Sequence, residues 1–246
     1  SKDNTFFRIK TTERFNTINC IAENSVGEIF VGTENGILKV KEGNTINLEL
    51  LQIPLTGVVV NKMAVAKDNT LYIATNQGIW KLKGKVCEQI SLLGNAIFSA
   101  IVLDNHNKLW VANSNSIIVM DRNKNSSNLI KIPFFETVEI KSLCLSKNNR
   151  FWVGTNSSGL FGIDASTYKI ITTAKKDKND KRGLLSNTIL NVFCDKTNTL
   201  WVSNRKGVCF ANLEEKKFKE IDWTKIAFLS TNSAYNIRSS QIAELF

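Results

Sequence analysis

The sequence predicts an all-β fold, a β-propeller of four-stranded blades, and three observations carry the prediction. One run is written five times, beginning at Ile29 (IFVGTENGI), Leu71 (LYIATNQGI), Leu109 (LWVANSNSI), Phe151 (FWVGTNSSGL) and Leu200 (LWVSNRKGV). Its second residue is always aromatic, and Phe30, Tyr72, Trp110, Trp152 and Trp201 follow one another at spacings of 42, 38, 42 and 49 residues. A self-similar unit of about 40 residues is the period of a propeller blade. The positions twelve and nine ahead of each aromatic are apolar throughout: Ile18 and Ile21, Val60 and Met63, Phe98 and Ile101, Ile140 and Leu143, Ile189 and Val192. Such β-branched and aromatic runs, bounded by Asn, Asp, Lys and Gly, read as strands covered on both faces by neighbouring sheets.

Taken in order, Phe6–Ile9 is a short strand, expected to be the outer strand of a blade whose other strands lie elsewhere. The first repeat, about 16–53, supplies strands at Thr17–Glu23, around Phe30, at Ile37–Val40 and at Ile46–Ile53, with turns at Asn24–Gly27 and Glu34–Gly36. The second, about 57–90, repeats the plan with Val58–Ala66, Leu71–Thr75, Ile79–Leu82 and Val86–Ile90. The third (about 96–132), fourth (138–173) and fifth (187–221) each hold four further strands. Residues 233–246 are expected to be the inner strand of a partial sixth blade, which makes the chain part of a larger or unclosed propeller within a single domain, 1–246. Pro54 and Pro133 fall near the ends of fourth strands, where a missing N–H costs least. Gly36, Gly78, Gly159 and Gly207 sit six or seven residues after the aromatic, where a tight hairpin needs a residue tolerant of positive φ. The third repeat has Asn115-Ser116 there, which predicts a looser turn.

Composition narrows the function classes. The 246 residues are 43% apolar with 14 Phe and 5 Trp, ample for a core, and no window has the roughly 18 uninterrupted apolar residues of a membrane span. Cys20, Cys87, Cys144, Cys194 and Cys209 follow no metal-ligand spacing and read as buried free thiols, so neither a metal nor a disulfide framework is expected. The net charge of +10 is spread over turns in nearly every repeat. The one dense cluster, Lys175–Arg182, carries two aspartates and reads as a solvated loop rather than a nucleic-acid surface. His106, the only histidine, lies in the polar turn Asp104–Lys108 and has no partner of catalytic spacing. No cofactor motif is present either.

The pattern D/K-x-x-x-L-W-V-G-T-x-x-G-L resembles the two-component regulator propeller repeat. Ile29-Phe30-Val31-Gly32-Thr33 with Asn35-Gly36-Ile37 carries the match, as does Phe151-Trp152-Val153-Gly154-Thr155 with Gly159-Leu160. Leu184–Ile189 is similar to that family's connection into an inner strand. The resemblance implies the extracytoplasmic, periplasmic sensor region of a hybrid two-component histidine kinase, answering a carbohydrate-like signal. It further implies a longer parent chain with more propeller or β-domain, a membrane span and a kinase, none of which lies in this sequence.

Catalysis is not expected of the domain itself. A ligand surface is expected on the turns between second and third strands and on the connections between blades, carrying Asn35, Asn76, Gln77, Asn156, Arg182, Arg205 and Lys206. Neutral amides with an occasional cation suit an oligosaccharide or another polar small ligand, and Arg205, Lys206 and Arg182 stand first. Open strand edges make a homodimer a further expectation. The alternatives are a protein-interaction scaffold and a propeller enzyme acting on glycosides. A signal peptide upstream and a kinase downstream would separate sensor from scaffold, and glycan hydrolysis would revive the enzyme.

Overall fold

The computed structural model describes residues 17–41, 47–122, 130–133, 138–179, 183–213 and 217–220. The chain falls into two compact units, Ser1–Leu103 and Asp104–Phe246. Unit 1 contains β1 (Ile18–Glu23), β2 (Ile29–Thr33), β3 (Gly36–Lys41) and β4 (Asn47–Leu50), then β5 (Val60–Val65), β6 (Leu71–Thr75), β7 (Gly78–Lys83), β8 (Val86–Gln89) and β9 (Ala100–Leu103). Unit 2 contains β10 (Lys108–Ala112), β11 (Ser116–Asp121) and β12 (Ile130–Pro133), then β13 (Ile140–Leu145), β14 (Arg150–Thr155), β15 (Leu160–Asp164) and β16 (Ile170–Ala174). It ends with β17 (Asn191–Cys194), β18 (Thr199–Asn204), β19 (Gly207–Asn212) and β20 (Lys217–Glu220). The strands make five four-stranded antiparallel sheets, each a meander in chain order, which is the blade of a propeller. The expected strands Phe6–Ile9 and 233–246 lie outside the described residues.

Each sheet begins with the same turn. Its first residue takes a backbone hydrogen bond from the fourth and gives one to the fifth: Gly27 N to Asn24 O and Asn24 N to Glu28 O in the first sheet, Asn198 N to Asp195 O and Asp195 N to Thr199 O in the last. The fourth residue has positive φ every time, at Gly27 (81°), Asn69 (60°), Asn107 (65°), Asn149 (57°) and Asn198 (62°). Asparagine tolerates that left-handed region better than other side chains, which is why it occupies four of the five positions.

The second turn is held by the motif itself. Thr33, Thr75 and Thr155 end the second strands, and their hydroxyls donate to the carbonyls of Gly36, Gly78 and Gly159 at 2.7–2.8 Å. The same hydroxyls accept from the amides of Asn35, Gln77 and Ser158. The looser turn expected in the third repeat is not found: Asn113 N–H donates to Ser116 O at 3.1 Å, closing a two-residue loop like those of the first two sheets, and Asn113 Oδ1 accepts from the N–H and hydroxyl of Ser116 (2.9 and 2.7 Å). In the fifth, Asn204 replaces threonine. Its Oδ1 takes the Lys206 amide at 2.8 Å, while its fully buried Nδ2 has no hydrogen-bond partner among the described residues.

Blades meet through size-matched residues. At Gly32 and Gly154 the small residue two after the aromatic faces a large residue at or just before the start of the next inner strand. A Cβ on Gly32 would lie 2.7 Å from Val60 Cγ1, and one on Gly154 would lie 2.6 Å from Ile189 Cγ2. In unit 2 the aromatic does the same work: Trp110 stacks on Phe151 with ring centroids 3.8 Å apart, and both are wholly buried. Asn19 and Asn61 add side-chain hydrogen bonds to the carbonyls of Val60 and Phe98 across adjacent inner strands. Apolar residues twelve and nine before the aromatic are buried in sheets two to five, but Ile18 and Ile21 of β1 are 40% and 54% exposed. The pattern that predicts coverage on both faces is met there on one face only.

Two of the three indole nitrogens at the reference aromatic find a carboxylate. Trp110 Nε1 donates to Asp104 and Trp201 Nε1 to Asp195, each at 2.9 Å and from six residues away. Burial pushes the Asp195 carboxyl up, but hydrogen bonds from Trp201, Thr197 and Thr199 outweigh it and hold the group at about 2. The equivalent residue of the fourth sheet is Ser146, whose hydroxyl turns to Arg150 O at 2.9 Å, and Trp152 Nε1 is buried without a partner among the described residues. Ser146→Asp is therefore expected to stabilise the protein by about 1 kcal/mol by supplying the missing acceptor. Urea unfolding measures it, and a lower midpoint would show that the serine's own hydrogen bonds outweigh the indole's deficit.

Candidate functional site

The residues singled out on the second turns are distributed, one turn per sheet. In unit 1, Asn76 is committed to the fold: its Oδ1 accepts from Val59 N at 3.1 Å and its own N–H returns to Val59 O. Gln77 is exposed, and its carbonyl takes Gln89 Nε2 (2.9 Å) and Trp80 Nε1 (3.3 Å). Asn35 is half-buried in the matching turn of the first sheet. In unit 2, Asn156, Arg205 and Lys206 are exposed on the turns of the fourth and fifth sheets. Arg182 lies outside the described residues. Arg205 and Lys206 follow the buried Asn204 and place two exposed cations side by side on that turn.

The structure also places a cavity where sequence reasoning did not look. In unit 1 a space of about 460 Å³ opens between the first two sheets. It lies largely toward the first turns and the β7–β8 turn, the opposite strand ends from Asn35 and Asn76. Its lining joins Asn24, Val26 and Glu28 of the first turn to Asn69 of the matching turn and to Gly84 and Lys85 between β7 and β8. Phe30, Leu71 and Leu82 form an apolar floor, and Leu51, Gln52 and Ile53 run along one side. The two first turns are tied together by Ser25, whose N–H and hydroxyl both donate to Asn69 Oδ1 at 3.0 and 2.7 Å.

The cavity's charge is compensated locally. Glu28 Oε1 pairs with the Lys39 ammonium and its Oε2 accepts from Asn24 Nδ2 at 2.7 Å. The Lys39 hydrogen bond and then that of Asn24 hold the Glu28 carboxyl below its ordinary value, so it is ionised at neutral pH. Lys39 also lies 5.9 Å from the centre of the Phe30 ring. An apolar floor with a neutralised hydrogen-bonding rim is the composition of a small-molecule site, and the volume falls within the range of about 300–1,000 Å³ such sites occupy. The signal was present in sequence as Asn24-Ser25-Val26-Gly27-Glu28, but a turn motif does not say which strand face it will crown.

His106 is exposed, and its amide N–H caps Asp104 Oδ1 at 2.9 Å within the turn. Among the described residues no group of three or more His, Cys, Asp or Glu could hold a metal ion. Nor is any helix among them long and apolar enough to cross a membrane.

No protein-family model matches the chain, and no curated protein matches it. Solved structures do. The extracellular domain of the BT4673 hybrid two-component system of B. thetaiotaomicron is similar over 88% of this chain at 15% identity, with a TM-score of 0.56. The chain spans 40% of that domain's length. A catalytically inactive variant of virginiamycin B lyase from Staphylococcus aureus, with quinupristin, is similar over 87% of this chain and 73% of its own, at 13% identity and a TM-score of 0.66. PorZ, a surface component of the type-IX secretion system of Porphyromonas gingivalis, is similar over 81% of this chain and 33% of its own, at 14% identity and a TM-score of 0.60. A sensor domain, a lyase and a secretion component share the blade architecture, so these likenesses show a propeller fold and leave function to the site.

Proposed function

We propose that this chain is a non-catalytic, ligand-sensing propeller domain of a hybrid two-component sensor, working outside the cytoplasm and answering a carbohydrate-like signal. The cavity between the first two sheets is the observation that carries the reading. Phe30, Leu71 and Leu82 offer an apolar surface to the C–H face of a sugar ring. Glu28, Gln52 and the Nδ2 of Asn69 offer hydrogen-bonding groups to its hydroxyls, and the Lys39–Glu28 pair leaves little net charge to attract an ion instead. The likeness to the BT4673 extracellular domain supports the sensor class and the compartment.

A second reading is favoured by one observation, the two exposed cations Arg205 and Lys206 side by side on the second turn of the fifth sheet. Their side chains carry donors and no acceptor and suit a ligand rich in acceptors, such as an acidic sugar. A lyase reading needs a reacting group. The lone His106, with its amide spent on its own turn and its side chain at the surface, supplies no such arrangement.

Titration calorimetry against neutral and acidic oligosaccharides separates these readings. Glu28→Gln and Gln52→Ala are each expected to weaken binding of a neutral oligosaccharide about tenfold, by removing one charge-assisted or neutral hydrogen bond. Arg205→Ala with Lys206→Ala should leave that binding unchanged. The reverse pattern would move the ligand to the second turn, and hydrolysis or elimination of any glycan tested would overturn the non-catalytic reading.

A further inference from the structure

The core between the fourth and fifth sheets contains two cysteines whose sulfurs almost touch. Cys144 on β13 and Cys194 on β17 have their Sγ atoms 2.7 Å apart. That is well inside the ~3.5–4 Å at which unbonded heavy atoms settle, and it approaches the ~2.05 Å of a sulfur–sulfur bond. The two inner strands are pinned side by side at both ends of this contact. On one side the Ser142 hydroxyl donates to Asn191 Oδ1 at 2.5 Å and accepts from Val192 N at 3.1 Å. On the other, Lys147 N donates to Asn198 Oδ1 at 3.1 Å. The sulfurs therefore face each other as a consequence of the register of two whole sheets, not of one mobile rotamer.

We propose that Cys144 and Cys194 form a disulfide that staples the fourth blade to the fifth under oxidising conditions. Each thiol loses its proton, a sulfur–sulfur bond forms, and the two electrons pass to an oxidised disulfide of the glutathione class, which is cleaved to two thiols. The extracytoplasmic reading enters only as the source of that oxidant. The bridge joins residues 50 apart in sequence, long enough for the cross-link to remove substantial freedom from the unfolded chain. Burial pushes the Cys144 thiol up, with Cys194 adding to the effect. Reaction through the thiolate is therefore slow once the blades have closed. Cys209 lies elsewhere in the same core with its sulfur 3.8 Å from Val202 O, and Cys20 and Cys87 belong to unit 1.

The test uses the whole chain in two arms. In the first, purified protein is refolded in a glutathione redox buffer, denatured, alkylated and weighed. Three of the five cysteines should accept alkylating reagent, and peptide mapping should link the segments holding Cys144 and Cys194. Reduction should lower Tm by roughly 10 °C, the scale for closing a loop of this length in a protein of this size. Cys194→Ser should abolish both the linked peptide and the redox dependence of Tm, and Cys144→Ala serves equally if the first variant folds poorly. Five reactive thiols, or a bridge through Cys20, Cys87 or Cys209, overturns the proposal. In the second arm the chain is produced with and without export to the periplasm. A bridge in redox buffer but none in exported protein leaves the pairing standing and counts against the extracytoplasmic reading.

Discussion

Trp110→Ala is expected to destabilise unit 2 by about 5 kcal/mol, the largest effect of any single substitution considered for this chain. Truncating a buried tryptophan costs roughly 3–5 kcal/mol through lost transfer energy and the cavity left behind, and loss of the stack on Phe151 adds about 1 kcal/mol. The side chain is wholly buried, its ring lies 3.8 Å from that of Phe151 on the adjacent sheet, and its Nε1 is satisfied by Asp104. Against a total stability of about 5–15 kcal/mol, such a loss can leave the unit largely unfolded at 37 °C. Urea unfolding followed by circular dichroism measures it. Trp110→Phe keeps an aromatic stack and removes the indole donor, and should cost about 2 kcal/mol. Trp201, partly exposed and tilted against Phe210 within its own sheet at 5.2 Å, should tolerate alanine better. A cost below about 2 kcal/mol for Trp110→Ala would mean that the joint between the third and fourth blades rests elsewhere.

Gly154→Ala is expected to cost about 2–3 kcal/mol, although it adds a single methyl group. That methyl would sit 2.6 Å from Ile189 Cγ2 and 3.2 Å from Val192 Cγ1, and neither sheet can yield without moving the other. Alanine's smaller unfolded-state entropy returns only about 0.4–1 kcal/mol. The size-matching argument makes a sharper statement about the pair. Ile189→Ala alone should cost about 3 kcal/mol by opening a cavity. The double variant should be more stable than the sum of the singles by at least about 1 kcal/mol, because the added methyl fills part of the space vacated. Additive costs would show that Gly154 is small for some reason other than the neighbouring blade.

These two expectations mark how much of the fold was legible. The aromatic repeat announced five sheets, and the described residues form five four-stranded sheets at the repeats from which they were read. The second strands were placed closely because their signal is dense: Leu71–Thr75 was read to the residue, and Ile29–Thr33 lies where Phe30 put it. The outer strands were read too long, as with Ile46–Ile53 against an observed Asn47–Leu50. One of their faces is solvated, and alternation fades where burial does. The turn glycines carry the positive φ expected of them, and the asparagines at 69, 107, 149 and 198 bear the positive φ of the first turn, a role the repeat pattern does not assign to them.

The candidate site was less legible. Asn76 reads as a ligand residue because amides suit hydroxyls, and in the structure its Oδ1 accepts from Val59 N. An asparagine that binds a ligand and one that clasps a backbone have the same letter and the same turn. The cavity lined by Glu28, Lys39 and Phe30 was not read at all, since its walls come from residues 24–30, 39, 51–53, 69–71 and 82–85 and meet only when two sheets pack. The Cys144–Cys194 contact was hidden likewise. The spacing reads as no motif, and the two thiols become neighbours through the lateral register of β13 against β17.

The amino-acid sequence alone determined the unit of construction. Strand chemistry is local, with a period of two, and its recurrence every 40 residues or so needs no three-dimensional knowledge to be counted. Which residue two places after the aromatic must be glycine, which threonine holds a turn, which apolar face stays bare at Ile18 and Ile21, and which two sulfurs meet were decided by tertiary packing. The physical reason is the range of the interaction. Van der Waals exclusion, hydrogen bonding and disulfide chemistry act over a few ångströms between sheets whose contacting residues lie about 40 to 50 positions apart, and only the folded register says which of them are brought within reach.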